Sequence, residues 1–133
     1  MKTAAQDFTL TPEEERDVVH FDPWGERDAT YRVLREGFAR CRQGHECAIC
    51  CGLIHAGERV WFRTETDDGR IGTFRFCPEC CWCIARRYDE TLADDGYADD
   101  SGFQRMYARW DIGRQRAETA RAATSQEPGG HQP

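Results

Sequence analysis

Two short stretches decide how this chain folds: "HECAICCG", residues 45–52, and "RFCPECCWC", residues 75–83. Together they hold seven of its eight cysteines. Each contains two cysteines separated by two residues, Cys47-Ala-Ile-Cys50 and Cys77-Pro-Glu-Cys80, and 26 residues lie between the pairs. Two intervening residues let a tight turn aim both sulfurs at one point. Four thiolates then complete the tetrahedral shell of a zinc ion, which has no geometric preference of its own. One such pair is a weak signal; two pairs joined by a segment that returns the chain are a strong one.

The joining segment has that property. The β-rich runs "ERVWFRT" and "RIGTFRF" flank Asp68-Gly69, a strong two-residue hairpin signal. With this dipeptide as the loop, Trp61 opposes Phe76 and Arg63 opposes Phe74. An aromatic pair and an arginine–aromatic contact would then hold the register. Cys77 falls just before a downstream helix and Cys80 in its first turn, where the positive end of the helix favours deprotonated sulfur. Cys81, Ile84, Tyr88 and Leu92 mark one face of that helix.

Knuckle, hairpin and ligand-bearing helix in this order resemble the treble-clef zinc finger. More narrowly, residues 45–90 resemble small treble-clef proteins of phages and their bacterial hosts, many without assigned activity. The likeness rests on Ile54, Gly57 and Glu58 at their offsets from Cys50. The family usually has glycine directly after the second cysteine, whereas here Cys51 precedes Gly52, so either Cys50 or Cys51 is the ligand. The resemblance implies an α+β fold with a single treble-clef core, flanked by N- and C-terminal helices. The metal set expected is Cys47, Cys50, Cys77 and Cys80 around one Zn2+. Cys51, Cys83, His45 and His55 are the alternates, Cys83 because Cys80-Cys-Trp-Cys83 repeats the spacing. Cys41 and Cys81 read as small buried residues.

The outer segments read as follows. Thr11, Pro12 and Glu14 form a helix start with a capping box. Tyr31, Leu34, Phe38 and Cys41 recur at spacings of three and four, predicting a helix over 28–42. Residues 1–44 are thus a helical segment packing on a core at 45–95. Residues 96–123 are an acidic loop and a last helix beginning near Phe103, with Phe103, Met106, Tyr107 and Trp110 on its apolar stripe. Residues 124–133 have nothing to bury and are expected to be disordered.

Composition narrows the function. Mean hydropathy is −0.79 and the net charge is −6. No apolar run is long enough to span a bilayer, and the first residues lack a secretory signal. A cytoplasmic location without membrane association is therefore expected, where clustered cysteines point to metal or catalysis. Four thiolates leave no open position for hydrolysis or deamination, and the histidines needed by an HNH nuclease are missing. Thiol redox chemistry at Cys77 and Cys80 is the enzymatic alternative, since Cys-Pro-x-Cys opening a helix also suits a reactive thiol. An iron–sulfur cluster is a further option. The sequence therefore reads as a non-enzymatic zinc protein with another protein as partner and no small-molecule substrate. Nucleic acid is the alternative partner, bound through Arg105, Arg109, Arg114 and Arg116.

Overall fold

The computed structural model describes residues 7–25, 30–89 and 101–125. Helix α1 (Pro12–Val19) starts as its sequence dictates. The Thr11 hydroxyl accepts from the Glu14 N–H at 3.1 Å, and the Glu14 carboxylate accepts from the Thr11 N–H at 2.9 Å. The helix buries Val18 and docks through its acids. Glu14 pairs with Arg86 at 3.0 Å, Glu15 with Arg59 at 2.6 Å and Asp17 with Arg87 at 3.1 Å. Three of the four acids of α1 are thus matched inside the molecule.

The helix expected over 28–42 does not form. Residues Arg32–Arg40 are strand β1, antiparallel to β4 (Arg59–Asp67), which pairs in turn with β5 (Arg70–Phe76). The apparent helical spacing is a coincidence of an edge strand. A bulge between Val33 and Arg35 breaks the two-residue alternation that would have revealed it. Cys41, assigned to that helix face, follows the strand and is half-buried.

The β4–β5 hairpin has the expected register. Trp61 faces Phe76, Arg63 faces Phe74, and Asp67 and Arg70 close the turn. Asp68 and Gly69 both have positive φ, 52° and 80°, as a type I′ turn requires. The Trp61 and Phe76 rings stack at 4.3 Å. Arg63 turns away from Phe74 and lies 5.8 Å from the Trp61 ring, while Trp24 packs edge-on against Phe74 at 5.2 Å.

On the side of β4 that carries Trp61, Arg63 and Glu65 continue the buried row. A buried charge needs hydrogen-bond partners, and here each has several. Glu65 accepts from the Arg63 Nε at 3.0 Å, the Trp24 Nε1 at 2.7 Å and the Tyr31 hydroxyl at 2.8 Å. Arg63 also donates to Tyr31 at 2.7 Å and to the Phe21 carbonyl at 3.3 Å. The network ties residues 21–25 and Tyr31 to the sheet.

Two-residue strands β2 (His45–Glu46) and β3 (Leu53–Ile54) pair antiparallel around the first cysteine pair. Helix α2 (Pro78–Ala85) follows β5 and ends at Ala85, short of the predicted face, so that Tyr88 is exposed. Leu92 lies outside the described residues, as does most of the acidic loop. Helix α3 (Ser101–Ser125) packs against α2. Met106 is its buried apolar anchor, Phe103 and Trp110 are partly buried, and Tyr107 is turned out. Residues beyond Ser125 lie outside those described.

Six of the fifteen buried hydrophobic residues described are cysteines. A core so thin in large apolar side chains depends on whatever holds its sulfurs together.

Candidate metal centre

The first cysteine pair sits on the turn between β2 and β3. The Cys47 N–H donates to the Gly52 carbonyl at 2.9 Å, and the Cys51 N–H donates to the Cys47 carbonyl at 3.0 Å. Closing this turn requires left-handed backbone at the residue after Cys50. Cys51 supplies it with φ of 58°, in the position where glycine is usual. The second pair comes from the end of β5 and the first turn of α2. Cys77 caps that helix, its sulfur accepting from the Cys80 N–H at 3.4 Å.

The sulfurs of Cys47, Cys50, Cys77 and Cys80 all lie within 4.8 Å of one another, and all four residues are buried. The Cys47–Cys80 separation is 3.8 Å and the Cys50–Cys77 separation is 3.7 Å. A disulfide would bring two sulfurs to about 2.05 Å. A regular tetrahedron of metal–thiolate bonds of about 2.3 Å has edges of about 3.8 Å. The four cysteines are therefore positioned to bind one metal ion.

Backbone N–H groups converge on the same sulfurs. Those of Ile49 and Cys77 donate to Cys47 at 3.4 and 3.3 Å. Hydrogen bonds of this kind orient a thiolate and reduce its excess charge. Without an ion, four clustered thiols cannot all ionise. Hydrogen bonds from its neighbours hold Cys50 well below the usual thiol range, while those same contacts and burial push Cys80 far above it. A cation at the centre removes that conflict.

The other candidates fall elsewhere. Cys51 is half-exposed, and burial raises its pKa. Cys81 is buried against the sheet, its thiol 3.4 Å from the Phe76 carbonyl, and burial pushes its pKa up. Cys83 is buried outside the cluster and is likewise raised by burial. His45 faces Ile54 across the β2–β3 pair and His55 is exposed in the following loop. Neither joins the cluster.

Four of the five α3 arginines, the candidates Arg105, Arg109, Arg114 and Arg116, are engaged within the chain. Arg109 donates from Nε to the Cys80 sulfur at 3.4 Å and pairs with Glu79 at 3.1 Å. Arg116 donates to the Cys50 carbonyl at 2.9 Å. Arg105 lies 5.0 Å over the Trp82 ring, and Arg114 pairs with Asp111. Burial opposes the charge on Arg109, but the contact with Cys80 and the charge of the sulfurs more than offset it, so its pKa is raised.

The apolar stripe expected of α3 packs on the core through Met106, Phe103 and Trp110, but its glycine and arginine contacts with the knuckle were not foreseen. Gly102, Met106, Arg109, Gly113 and Arg116 follow one another at spacings of four, three, four and three, one stripe of a helix. A Cβ on Gly113 would lie 1.9 Å from the Ile49 carbonyl oxygen, so helix and knuckle touch backbone to backbone. Gly102 approaches the Arg86 carbonyl equally closely. The signal was present in the spacing, but a count of apolar residues passes over glycine and arginine.

No family model, no curated protein and no solved structure matches the chain. No helix among the described residues is long and apolar enough to cross a membrane.

Proposed function

We propose that the chain is a non-enzymatic binding module whose treble-clef core is held together by one structural zinc ion. The observation that carries this is the pair of sulfur separations, 3.7 and 3.8 Å, which match the edge of a zinc–thiolate tetrahedron. The order of a β2–β3 knuckle, a β4–β5 hairpin and a ligand-bearing α2 supports the treble-clef reading. Zinc suits the cage because a tetrahedral site of four sulfurs selects zinc or iron, and nothing else in the site calls for redox chemistry. Sulfurs within 4.8 Å of one another enclose one ion and leave no space for a cluster of several irons and sulfides.

A structural role follows from the closed shell. Four thiolates leave no open coordination position, so substrate has no access to the metal. Thiol exchange at Cys77 is disfavoured by the same geometry. The residue is buried and its sulfur lies 3.7 Å from that of Cys50 inside the cage, which limits the access a second thiol would need. Net charge alone would select a protein as the partner, whereas the local charge of one sheet face selects a polyanion.

Native mass spectrometry of single cysteine variants tests the reading. Cys50→Ser is expected to lose the ion and the folded state together, while Cys51→Ser keeps one zinc per chain. Metal retained in Cys50→Ser and lost in Cys51→Ser would overturn the assignment.

A further inference from the structure

The β1–β4–β5 sheet has two unlike faces. One carries Trp61, Arg63, Glu65 and Phe76, all buried under α1, α2 and residues 21–25. The opposite face carries Arg35, Gly37 and Ala39 from β1, Phe62 and Thr64 from β4, and Thr73 and Arg75 from β5. Each of these is exposed or only partly buried. A groove of about 580 Å³ runs over this face and on past Arg40, Arg42 and His45.

Charge sets this groove apart in an acidic protein. Its lining holds four arginines and no carboxylate. Among the described residues the ion pairs involve Arg59, Arg63, Arg86, Arg87, Arg109 and Arg114, and none involves Arg35, Arg40, Arg42 or Arg75. Arg40 gives one donor to the Gly57 carbonyl at 2.9 Å and keeps its others. Glu58, beside Cys41, has its carboxylate on the His55 N–H at 2.8 Å. Three of the four acids of α1, Glu14, Glu15 and Asp17, are paired with Arg86, Arg59 and Arg87 on the other side of the sheet.

The face also offers an aromatic platform. The Phe62 ring lies over Gly37, 3.7 Å from where a Cβ would stand, and the Arg35 guanidinium sits 5.3 Å from the ring centroid. Beside it Thr64 and Thr73 present a hydroxyl pair 2.9 Å apart.

We propose that this face binds single-stranded nucleic acid, with Arg35, Arg40, Arg42 and Arg75 on the phosphates and a base stacked on Phe62. Arginines along a groove and an aromatic ring on an open sheet are the two elements that sequence-tolerant recognition of single strands requires. An acidic peptide would meet the guanidinium groups but leave the ring without a partner. As the base arrives, Arg35 turns from the ring to the adjacent phosphate. The inference rests on the chain being a metal-held binding module and names the partner of that module.

Fluorescence anisotropy with labelled oligouridine and oligothymidine of about 15 nucleotides tests it, a length within the range such folds occupy. A duplex of equal length and a polyglutamate peptide serve as comparisons, and metal content is measured for every protein sample. Three to four phosphate contacts predict a slope of log K against log salt of about −2 to −3. Arg35→Glu and Arg75→Glu are expected to weaken single-strand binding by about tenfold or more, and Phe62→Leu by about fivefold. Arg16→Glu on α1 makes the same charge change on the opposite side and leaves binding unchanged. Metal-loaded wild-type protein that ignores single strands at low salt refutes the inference and leaves the zinc reading standing. Equal loss in Arg16→Glu and Arg35→Glu, or polyglutamate bound as tightly as the oligonucleotides, also refutes it. Wild-type protein without metal removes the zinc reading and this inference with it.

Discussion

Gly113→Ala sets two opposing effects against each other. In an isolated helix alanine is better than glycine by about 1 kcal/mol, so propensity alone predicts a more stable protein. The packing predicts the reverse. The added Cβ would stand 1.9 Å from the Ile49 carbonyl oxygen and 3.1 Å from the Cys50 Cα. A carbon and a carbonyl oxygen rest at about 3.3 Å or more, so α3 must retreat by about 1.4 Å. That retreat pulls Arg109 from the Cys80 sulfur and Arg116 from the Cys50 carbonyl. Hydrogen bonds to charged groups contribute about 1.5 kcal/mol each at the low end, and the burial of Met106 is loosened as well. A net loss of about 2 kcal/mol is expected after the propensity gain. Urea unfolding measures it, with Gln115→Ala on the exposed side of α3 as the control for propensity. The rate of zinc transfer to a chelator should rise in parallel. A Gly113→Ala protein as stable as wild type, or about 1 kcal/mol more stable, would refute the contact between α3 and the knuckle.

Other perturbations separate the roles of individual groups. Arg109→Met keeps the length of the side chain but removes the cation beside Cys80, and zinc transfer to a chelator should speed up about tenfold with the fold retained. Cys83→Ser and Cys81→Ser place a hydroxyl in a buried site and should cost about 1–3 kcal/mol in denaturant unfolding while still holding one metal ion; loss of metal in Cys83→Ser would show that the ligand set is wrong. Burial, and then the hydrogen bond to Glu65, raise the pKa of Tyr31 above its ordinary value of 10.0. A group raised in the folded state contributes stability that is fully present below its unfolded pKa and is lost as pH climbs through the folded one. One of the four tyrosines should therefore ionise late in an absorbance titration of the zinc-loaded protein, and Tyr31→Phe should remove that step; a titration unchanged by the substitution would count against the buried network.

What the sequence disclosed and what it hid have separate physical causes. The α1 start, the hairpin and the convergence of two cysteine pairs depend on local chemistry: a capping box, a type I′ turn and fixed spacings. Such features are legible because neighbours along the chain decide them. Strand β1 was misread as a helix because one of its faces is open to solvent and a bulge between Val33 and Arg35 interrupts its alternation. Without that alternation the chance spacing of Tyr31, Leu34, Phe38 and Cys41 was the stronger pattern. The choice between Cys50 and Cys51 turned on a backbone angle, since a non-glycine residue with φ of 58° cannot be foreseen from composition. The arginines of α3 looked like a free basic face because their partners, the Cys80 sulfur and the Cys50 carbonyl, are distant in sequence. Meanwhile the open basic face was assembled from three strands, one of which had been assigned to a helix.

Metal analysis joined to X-ray absorption at the metal edge of freshly purified, reduced protein tests the centre most directly. One zinc per chain, surrounded by four sulfurs at about 2.3 Å, is the expected result. A protein free of stoichiometric metal, or an ion with nitrogen or oxygen among its four ligands, would contradict a shell made of Cys47, Cys50, Cys77 and Cys80.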